Sequence, residues 1–234
     1  MNRDKTIDTP AVSLVCCDLA SIVIDNSVVE RAFAEAIATQ GIVTGTEAYV
    51  RSMVRFDRSR GRPPADVMRE LFERDEPRAQ AASLAFDRSF RAAVERFGVT
   101  APPDAIAALS KIAGSGANIC LLSALSRGAS SEVLGSLRRQ GLADLVLCAD
   151  DTPRGFPWPD PVLTAMLRLG TGDVREVAMV SSTENGVLSG RRAGARIVVG
   201  VANDPHQLAA LRRAGATHVL DSLGELPDLV IAGA

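Results

Sequence analysis

Residues Val12-Ser13-Leu14-Val15-Cys16-Cys17-Asp18 form a short apolar run that ends at a carboxylate. A run of this length, closed by a polar residue, is typical of a strand buried inside a parallel sheet. Similar runs follow, and amphipathic segments with a helical period separate them. This alternation predicts an α/β fold, a mostly parallel sheet with helices on both faces. The further predicted strands are 118–122, 145–149, 177–180, 196–201 and 218–220, and the predicted helices between them are 104–113, 130–140, 161–169 and 207–214.

The stretch from about residue 27 to residue 99 departs from this alternation. Its hydrophobic residues have a helical period throughout, and Gly61, Pro63 and Pro64 interrupt the pattern. We therefore predict an all-helical domain inserted after the first strand, with helices near 28–40, 47–53, 65–73 and 78–97. The predicted division is an α/β core domain of residues 1–26 and 100–234 and a helical domain of residues 27–99.

Composition restricts the class of protein. The 234 residues are 47% hydrophobic and 23% charged, which suits one globular domain with an insertion or two small domains. A net charge of −2 argues against a protein that grips the phosphate backbone of a nucleic acid. No apolar run approaches the ~18 residues of a membrane span, and the polar first twelve residues do not predict a secretory signal. We expect a cytoplasmic protein without a nucleic-acid or membrane partner.

Cysteine and histidine do not indicate a metal site. The two histidines, His206 and His218, are too few and too far apart for zinc. The four cysteines lie inside apolar runs without metal-ligand spacing, so we predict that they are small core residues.

Polar side chains follow several of the predicted strands. Asp18, Ser123 and Ser182 each stand at the carboxyl end of an apolar run, as do Asp150 and Asp151. Because ligands of open parallel sheets bind at the carboxyl ends of the strands, we expect the functional crevice there. Asp18 is the strongest candidate, since a carboxylate at the end of a buried strand is costly unless it is hydrogen-bonded or used.

The order of these features resembles the haloacid dehalogenase superfamily, in which a strand ending in Asp, a helical cap and a strand ending in Ser follow one another. The first motif of that family is Asp-x-Asp-Gly-Thr, and here it is Asp18-Leu19-Ala20-Ser21-Ile22, followed by Ile24-Asp25-Asn26. Alanine at the third place resembles the phosphonoacetaldehyde hydrolase branch. Residues 149–159 and 219–227 resemble the third motif and the C-terminus of that branch. The resemblance implies a Rossmannoid parallel sheet with an inserted helical cap.

The resemblance also implies roles for individual residues. Asp18 would be the nucleophile, Ser123 would hydrogen-bond the transferred group, and Arg127 matches a basic position after the second motif. Aspartates at positions 20, 182 and 186 would help to hold Mg²⁺, but this chain has Ala20, Ser182 and Gly186 there. We therefore expect no tightly bound metal and no other cofactor.

Two more family positions are changed. The basic residue of the third motif aligns with Phe156, and Arg154 is its nearest substitute. A phosphonoacetaldehyde hydrolase needs a cap lysine for its Schiff base, and residues 6–110 contain no lysine. Val180-Ser181-Ser182 instead resembles the metal-free 2-haloacid dehalogenases, which use the same Asp on carbon.

These observations predict a hydrolase that acts on a small substrate through Asp18 and Ser123 without a metal. The predicted substrate contacts are Ala20, Arg127, Arg154 and Ser182. Two alternatives stay open: a non-catalytic family member that binds a small anion or a protein partner, and a biosynthetic enzyme that uses the cleft for acid/base chemistry. Ser123 could also be an ordinary strand-end cap, and the helix near 28–40 could form a symmetric homodimer contact.

Overall fold

The computed structural model describes residues 12–22, 26–98, 101–139 and 141–231, and six strands form one parallel sheet. The strand order is β3-β2-β1-β4-β5-β6, so β1 is central, between β2 and β4. The predicted parallel α/β sheet is confirmed. The strands are β1 (Leu14–Asp18), β2 (Asn118–Leu122), β3 (Leu145–Leu147), β4 (Val177–Ser181), β5 (Ile197–Val201) and β6 (His218–Leu220).

Several strand bounds differ from the prediction by one or two residues, and the ends of β1, predicted at Cys17, and of β3, predicted at Ala149, have identifiable reasons. Asp18 pairs with Leu122 on the neighbouring strand, so the carboxylate belongs to the last rung of β1 rather than to the loop after it. The third strand stops at Leu147, because residues 149–151 form a 3-10 turn. The Asp151 carboxylate accepts the backbone N–H of Cys148 at 2.7 Å and so begins that turn.

In the described part of the chain, six α-helices follow the insertion, and two of them were not predicted. They are α5 (Pro103–Gly114), α6 (Arg127–Arg139), α7 (Asp160–Leu169), α8 (Glu184–Ala193), α9 (Pro205–Ala214) and α10 (Leu226–Ile231). Helix α8 was missed because glycine, serine and arginine dilute its apolar stripe. A β-carbon on Gly190 would lie 2.7 Å from Met179 Cβ, so this helix depends on the missing side chain to approach β4. Helix α10 was missed because it is short.

The insertion is helical, as predicted. It consists of α1 (Asn26–Ala38), α2 (Glu47–Arg58), α3 (Pro64–Leu71) and α4 (Glu76–Phe97), and the described residues 26–98 contain no strand. The domain boundaries stay a prediction. Asp25 of the first motif and residues 99 and 100 at the predicted boundary lie outside the described residues.

The insertion shares its apolar core with one face of the sheet. Phe33 and Phe56 stack with their ring centroids 4.1 Å apart, and both belong to a buried cluster that also contains Val15 of β1 and Ile119 of β2. Ser126, just before α6, donates a 2.6 Å hydrogen bond to Asp87 of α4. These contacts seat the insertion over the carboxyl end of β1.

The cysteines are buried and unpaired, which confirms their prediction as core residues. Cys16 and Cys120 lie in the apolar cluster on one face of the sheet, and Cys17 and Cys148 lie in the cluster on the other. Among the described residues, no helix combines the length and apolarity needed to cross a bilayer.

Candidate active site

Asp18 lies at the carboxyl end of the central strand and is almost completely buried, at 2% exposure. Its Oδ1 atom accepts the backbone N–H of Ala20 at 3.1 Å, in the 3-10 turn that follows β1. Its Oδ2 atom accepts the hydroxyl of Ser181, the last residue of the adjacent strand β4, at 2.8 Å. One hydrogen bond to each oxygen fixes the carboxylate plane and leaves lone pairs for a further partner.

Ser181 is in turn held by the N-terminus of helix α8. The N-cap residue Thr183 donates its backbone N–H to Ser181 Oγ at 3.0 Å, and its own Oγ1 lies 3.1 Å from Ser181 Oγ. Gly186 donates its N–H to Thr183 Oγ1 at 3.1 Å. Ser181 thus accepts the backbone N–H of Thr183 and donates its hydroxyl to Asp18. A continuous chain of donors therefore runs from the helix N-terminus to the carboxylate.

Burial and hydrogen bonding act on Asp18 in opposite directions. Removal from water disfavours the charged form and raises the pKa of Asp18 from its ordinary 3.8 to about 6. Hydrogen bonds from Ser181, Ala20 and Thr183 lower the pKa and offset part of this effect. At pH 7 the Asp18 carboxylate is mostly ionised, and it becomes protonated as the pH falls through about 6. Such a carboxylate suits a nucleophile or a general base.

Asp18 opens into a cleft between the sheet and the insertion. About 610 Å³ of space, open solvent included, lies between the atoms that line the cleft. Its floor carries Asp18, Ser123 and Thr183. Its apolar wall consists of Leu19, Ala20, Val29, Phe56, Pro64, Ala124 and Leu125, and its polar rim consists of Glu30, Ser59, Arg60, Gly61 and Arg62.

Ser123 follows β2 and lies in the same cleft as Asp18, as the sequence placed it. It is 7% exposed. Its Oγ accepts the backbone N–H of Leu125 at 3.1 Å and lies 3.0 Å from Ser130 Oγ. This geometry leaves the Ser123 hydroxyl free to donate either to Ser130 or to a ligand.

The structure does not bring the two predicted arginines into this cleft. The Arg127 guanidinium pairs with Asp151, and Asp150 accepts the Arg127 backbone N–H at 2.8 Å. Arg154 binds Asp160 through two hydrogen bonds of 3.0 and 2.9 Å and stacks on Trp158, 4.4 Å from its ring centroid. Neither arginine lines the cleft of Asp18.

Ala20 and Ser182 are the remaining predicted contacts. Ala20 lines the cleft and donates its backbone N–H to Asp18. Ser182 lines a neighbouring polar groove instead, and its carbonyl accepts Nε2 of Gln207 at 2.8 Å. The serine that contacts Asp18 is Ser181, one residue earlier. The sequence pattern contained both serines, and strand register decides which of them faces β1.

The donor set at Asp18 does not fit Mg²⁺, the metal that the resemblance implies. Mg²⁺ needs several oxygen ligands in near-octahedral geometry. The described residues contain no cluster of three or more Asp, Glu, His or Cys side chains that could hold a metal. A β-carbon on Gly186 would lie 2.1 Å from Ser181 Oγ, so an aspartate at position 186 could not coexist with this serine. Ser181 fills the space that a ligand from position 186 would need.

Sequence reasoning missed the residues that the insertion supplies. Arg60 pairs with Glu30 and Asp57, and Arg62 binds Glu70 through two hydrogen bonds, one of them 3.1 Å long. The bond with Glu70 raises the pKa of Arg62 and lowers that of Glu70. The available signal was the Arg60-Gly61-Arg62-Pro63-Pro64 interruption between two helices, which marks a loop without showing where it points.

Comparison with known proteins agrees with this geometry. Residues 12–194 match the family model of haloacid dehalogenase-like hydrolases. The chain is 27% identical to phosphonoacetaldehyde hydrolase of Pseudomonas putida over 191 residues, which cover 71% of this chain and 69% of that protein. It is 34% identical to phosphonoacetaldehyde hydrolase of Pseudomonas paraeruginosa over 93 residues, 39% of this chain and about a third (34%) of that relative's length.

Solved structures show the same fold. A phosphonoacetaldehyde hydrolase-like protein from Oleispira antarctica superposes with a TM-score of 0.79 at 20% identity, over 100% of this chain and 96% of that one. A hydrolase from Pseudomonas syringae superposes with a TM-score of 0.77 at 19% identity, over 93% of this chain and 97% of that one. At these identities the likeness concerns the fold and not the reaction.

Proposed function

The chain belongs to the haloacid dehalogenase-like hydrolases, and from this premise we propose that it hydrolyses a small substrate through Asp18 without a tightly bound metal ion. The observation that supports the proposal is the environment of the Asp18 carboxylate. The carboxylate is buried at the base of the cleft, and its hydrogen-bond partners are the hydroxyl of Ser181 and the backbone N–H of Ala20 rather than further carboxylates.

Electrostatics favours a substrate with an uncharged reacting centre. A phosphate ester would bring its negative charge next to Asp18, and metal ions or free cations normally neutralise that charge. The cations at the cleft, Arg60 and Arg62, already pair with carboxylates of the insertion. Thioesters and lactones place an uncharged electrophile next to Asp18. A haloacid also reacts at an uncharged carbon, and its negative charge lies on the neighbouring carboxylate.

The carboxylate can act on such a substrate in two steps. A carboxylate oxygen of Asp18 attacks the electrophilic carbon, the carbon–leaving-group bond breaks, and the leaving group takes the electron pair. Water then cleaves the resulting ester or anhydride: one proton of the water goes to the product, the other goes to the expelled leaving group or to solvent, and the carboxylate is restored. In this proposal Ser123 donates a hydrogen bond to a substrate oxygen during these steps, and the solvent-open side of the cleft supplies the water.

The test compares wild type with Asp18→Asn on a panel of phosphate esters, haloacids, thioesters, lactones and phosphonoacetaldehyde. We expect turnover of a carbon-centred or acyl member and loss of at least about a hundredfold in the variant, since the nucleophile is removed. Asp228→Asn is the matched control, because Asp228 is an exposed aspartate far along the chain that pairs with Lys111. Activity that survives in Asp18→Asn would contradict the proposal.

A phosphonatase-type reaction is the second candidate, and the relatives named phosphonoacetaldehyde hydrolase favour it. This candidate is disfavoured because residues 6–110 contain no lysine that could form a Schiff base. Turnover of phosphonoacetaldehyde in the same panel would select this candidate.

A non-catalytic binding function is the third candidate. Arg127 and Arg154, two of the predicted substrate contacts, pair with Asp151 and Asp160 outside the cleft of Asp18. If no panel member is turned over and Asp18→Asn leaves the cellular function intact, the binding function replaces the catalytic one.

A further inference from the structure

Residues 59–63, between helices α2 and α3, and Pro64, the first residue of α3, form the part of the insertion that lies over the cleft. We call them the closing segment. Ser59, Arg60, Gly61, Arg62 and Pro64 of this segment line the same cleft as Asp18. How the closing segment is held against the core therefore determines how Asp18 is shielded.

The closing segment fits the core by shape at two points. A β-carbon on Gly61 would lie 2.3 Å from Oγ1 of Thr183, the N-cap residue of α8. A β-carbon on Gly155 would lie 2.4 Å from Cγ of Pro63. Gly61 also has a φ of 84°, in the left-handed region that favours glycine. Both contacts are possible because a glycine has no side chain, so the closing segment lies closely against the core.

One side chain adds a directional bond to this fit. Asn185, the second residue of α8, donates Nδ2–H to the carbonyl of Arg60 at 2.7 Å, across 125 residues of sequence. Within the described part of the chain, it is the one hydrogen bond between the closing segment and the core. The other bonds of the segment, such as Arg60 with Glu30 and Arg62 with Glu70, stay inside the insertion.

We propose that Asn185 is a positioning residue, which holds the closing segment over Asp18 through its hydrogen bond to the Arg60 carbonyl. The bond joins the insertion to the helix whose N-terminus supports Ser181 and Asp18. The closing segment is therefore held by the same turn of α8 that orients the Asp18 carboxylate. The proposal rests on the proposed function in treating this cleft as the reaction site, but its test needs no substrate.

The test is hydrogen–deuterium exchange of the free, full-length protein, read in peptides that span residues 59–63. Asn185→Asp keeps the size of the side chain and replaces the donating amide with a carboxylate that can only accept. Loss of one neutral hydrogen bond predicts about 3- to 10-fold faster exchange in these peptides. Asn185→Gln keeps an amide donor and should restore most of the protection.

Gln207→Glu is the matched control. Gln207 also donates an amide N–H to a backbone carbonyl, that of Ser182, at 2.8 Å, and it also stands in the first turn of a helix. Its bond lies within the core, so its loss should leave the exchange of residues 59–63 unchanged. The two variants make the same change of charge.

The expected result is faster exchange confined to the closing segment in Asn185→Asp alone. The proposal is overturned if exchange there stays at the wild-type rate, if Gln207→Glu accelerates it equally, if Asn185→Gln restores no protection, or if the whole protein exchanges faster. If no substrate in the panel is turned over, the proposed function fails, but the exchange result for Asn185 still stands. If the exchange of residues 59–63 is unchanged in Asn185→Asp, the proposal for Asn185 fails, whether or not the protein is catalytic.

Discussion

Replacing Asp18 with asparagine should stabilise the protein at neutral pH, although it removes the proposed nucleophile. The fold raises the pKa of Asp18 from 3.8 to about 6, because burial disfavours its charged form. The folded protein therefore binds this proton more tightly than the unfolded chain does. Stability from this group is fully present below about pH 3.8 and is lost as pH rises through about 6.

The size of the effect follows from the pKa difference. At about 1.4 kcal/mol for each pKa unit, the ionised carboxylate costs roughly 3 kcal/mol of stability at pH 7. Asparagine is neutral and avoids this cost, but the hydrogen bond from Ser181 must reorganise, which offsets about 1 kcal/mol. We expect Asp18→Asn to unfold with a free energy about 2 kcal/mol above wild type.

The assay is urea unfolding followed by circular dichroism, at pH 7 and at about pH 4. The advantage of Asp18→Asn should disappear at the lower pH, where wild type carries a proton on Asp18 in the folded state. Asp228→Asn, with an exposed ion pair, should change stability by less than about 1 kcal/mol and show no such pH dependence. An Asp18→Asn protein less stable than wild type at pH 7, or a difference independent of pH, would refute the reasoning.

Three further substitutions test the surroundings of Asp18. Ser181→Ala removes a hydrogen bond that lowers the pKa of Asp18, so a carbon NMR titration should show the pKa above about 6, and an unchanged value would be inconsistent with the donor chain. Gly186→Ala brings a β-carbon to 2.1 Å from Ser181 Oγ and should lower the free energy of urea unfolding by about 1–3 kcal/mol. Adding Ser181→Gly in a double variant should recover most of this loss. Gly61→Ala combines a φ of 84° with a β-carbon 2.3 Å from Thr183 Oγ1, so deuterium exchange of residues 59–63 should accelerate, and wild-type protection would argue against the close fit.

The sheet could be predicted from the sequence because its strands are buried on both faces. Such strands are continuous apolar runs, and their carboxyl ends carry the functional groups, so Asp18 and Ser123 were placed in one cleft correctly. Helix α8 escaped prediction because Gly186 and Gly190 provide room for neighbouring side chains instead of apolar contact. Its absence from the prediction also concealed the support that Thr183 gives to Ser181.

The roles of arginine could not be predicted from sequence. Arg127 and Arg154 have suitable positions near the motifs, but an arginine pairs with whichever carboxylate lies in reach, here Asp151 and Asp160. Arg60 and Arg62 line the cleft because the helices of the insertion bring their loop over β1. Contacts between segments more than a hundred residues apart, such as Asn185 with Arg60, depend on the packing of whole domains and leave no local pattern.

The most direct test of metal-independent chemistry at Asp18 is the rate of hydrolysis in excess EDTA against the rate in excess Mg²⁺. The substrate should be one that wild type turns over and Asp18→Asn does not. Because Ala20, Ser182 and Gly186 supply no carboxylate and Ser181 occupies the neighbouring space, we expect equal rates in the two conditions. A rate that is lost in EDTA and restored by Mg²⁺ would contradict the account.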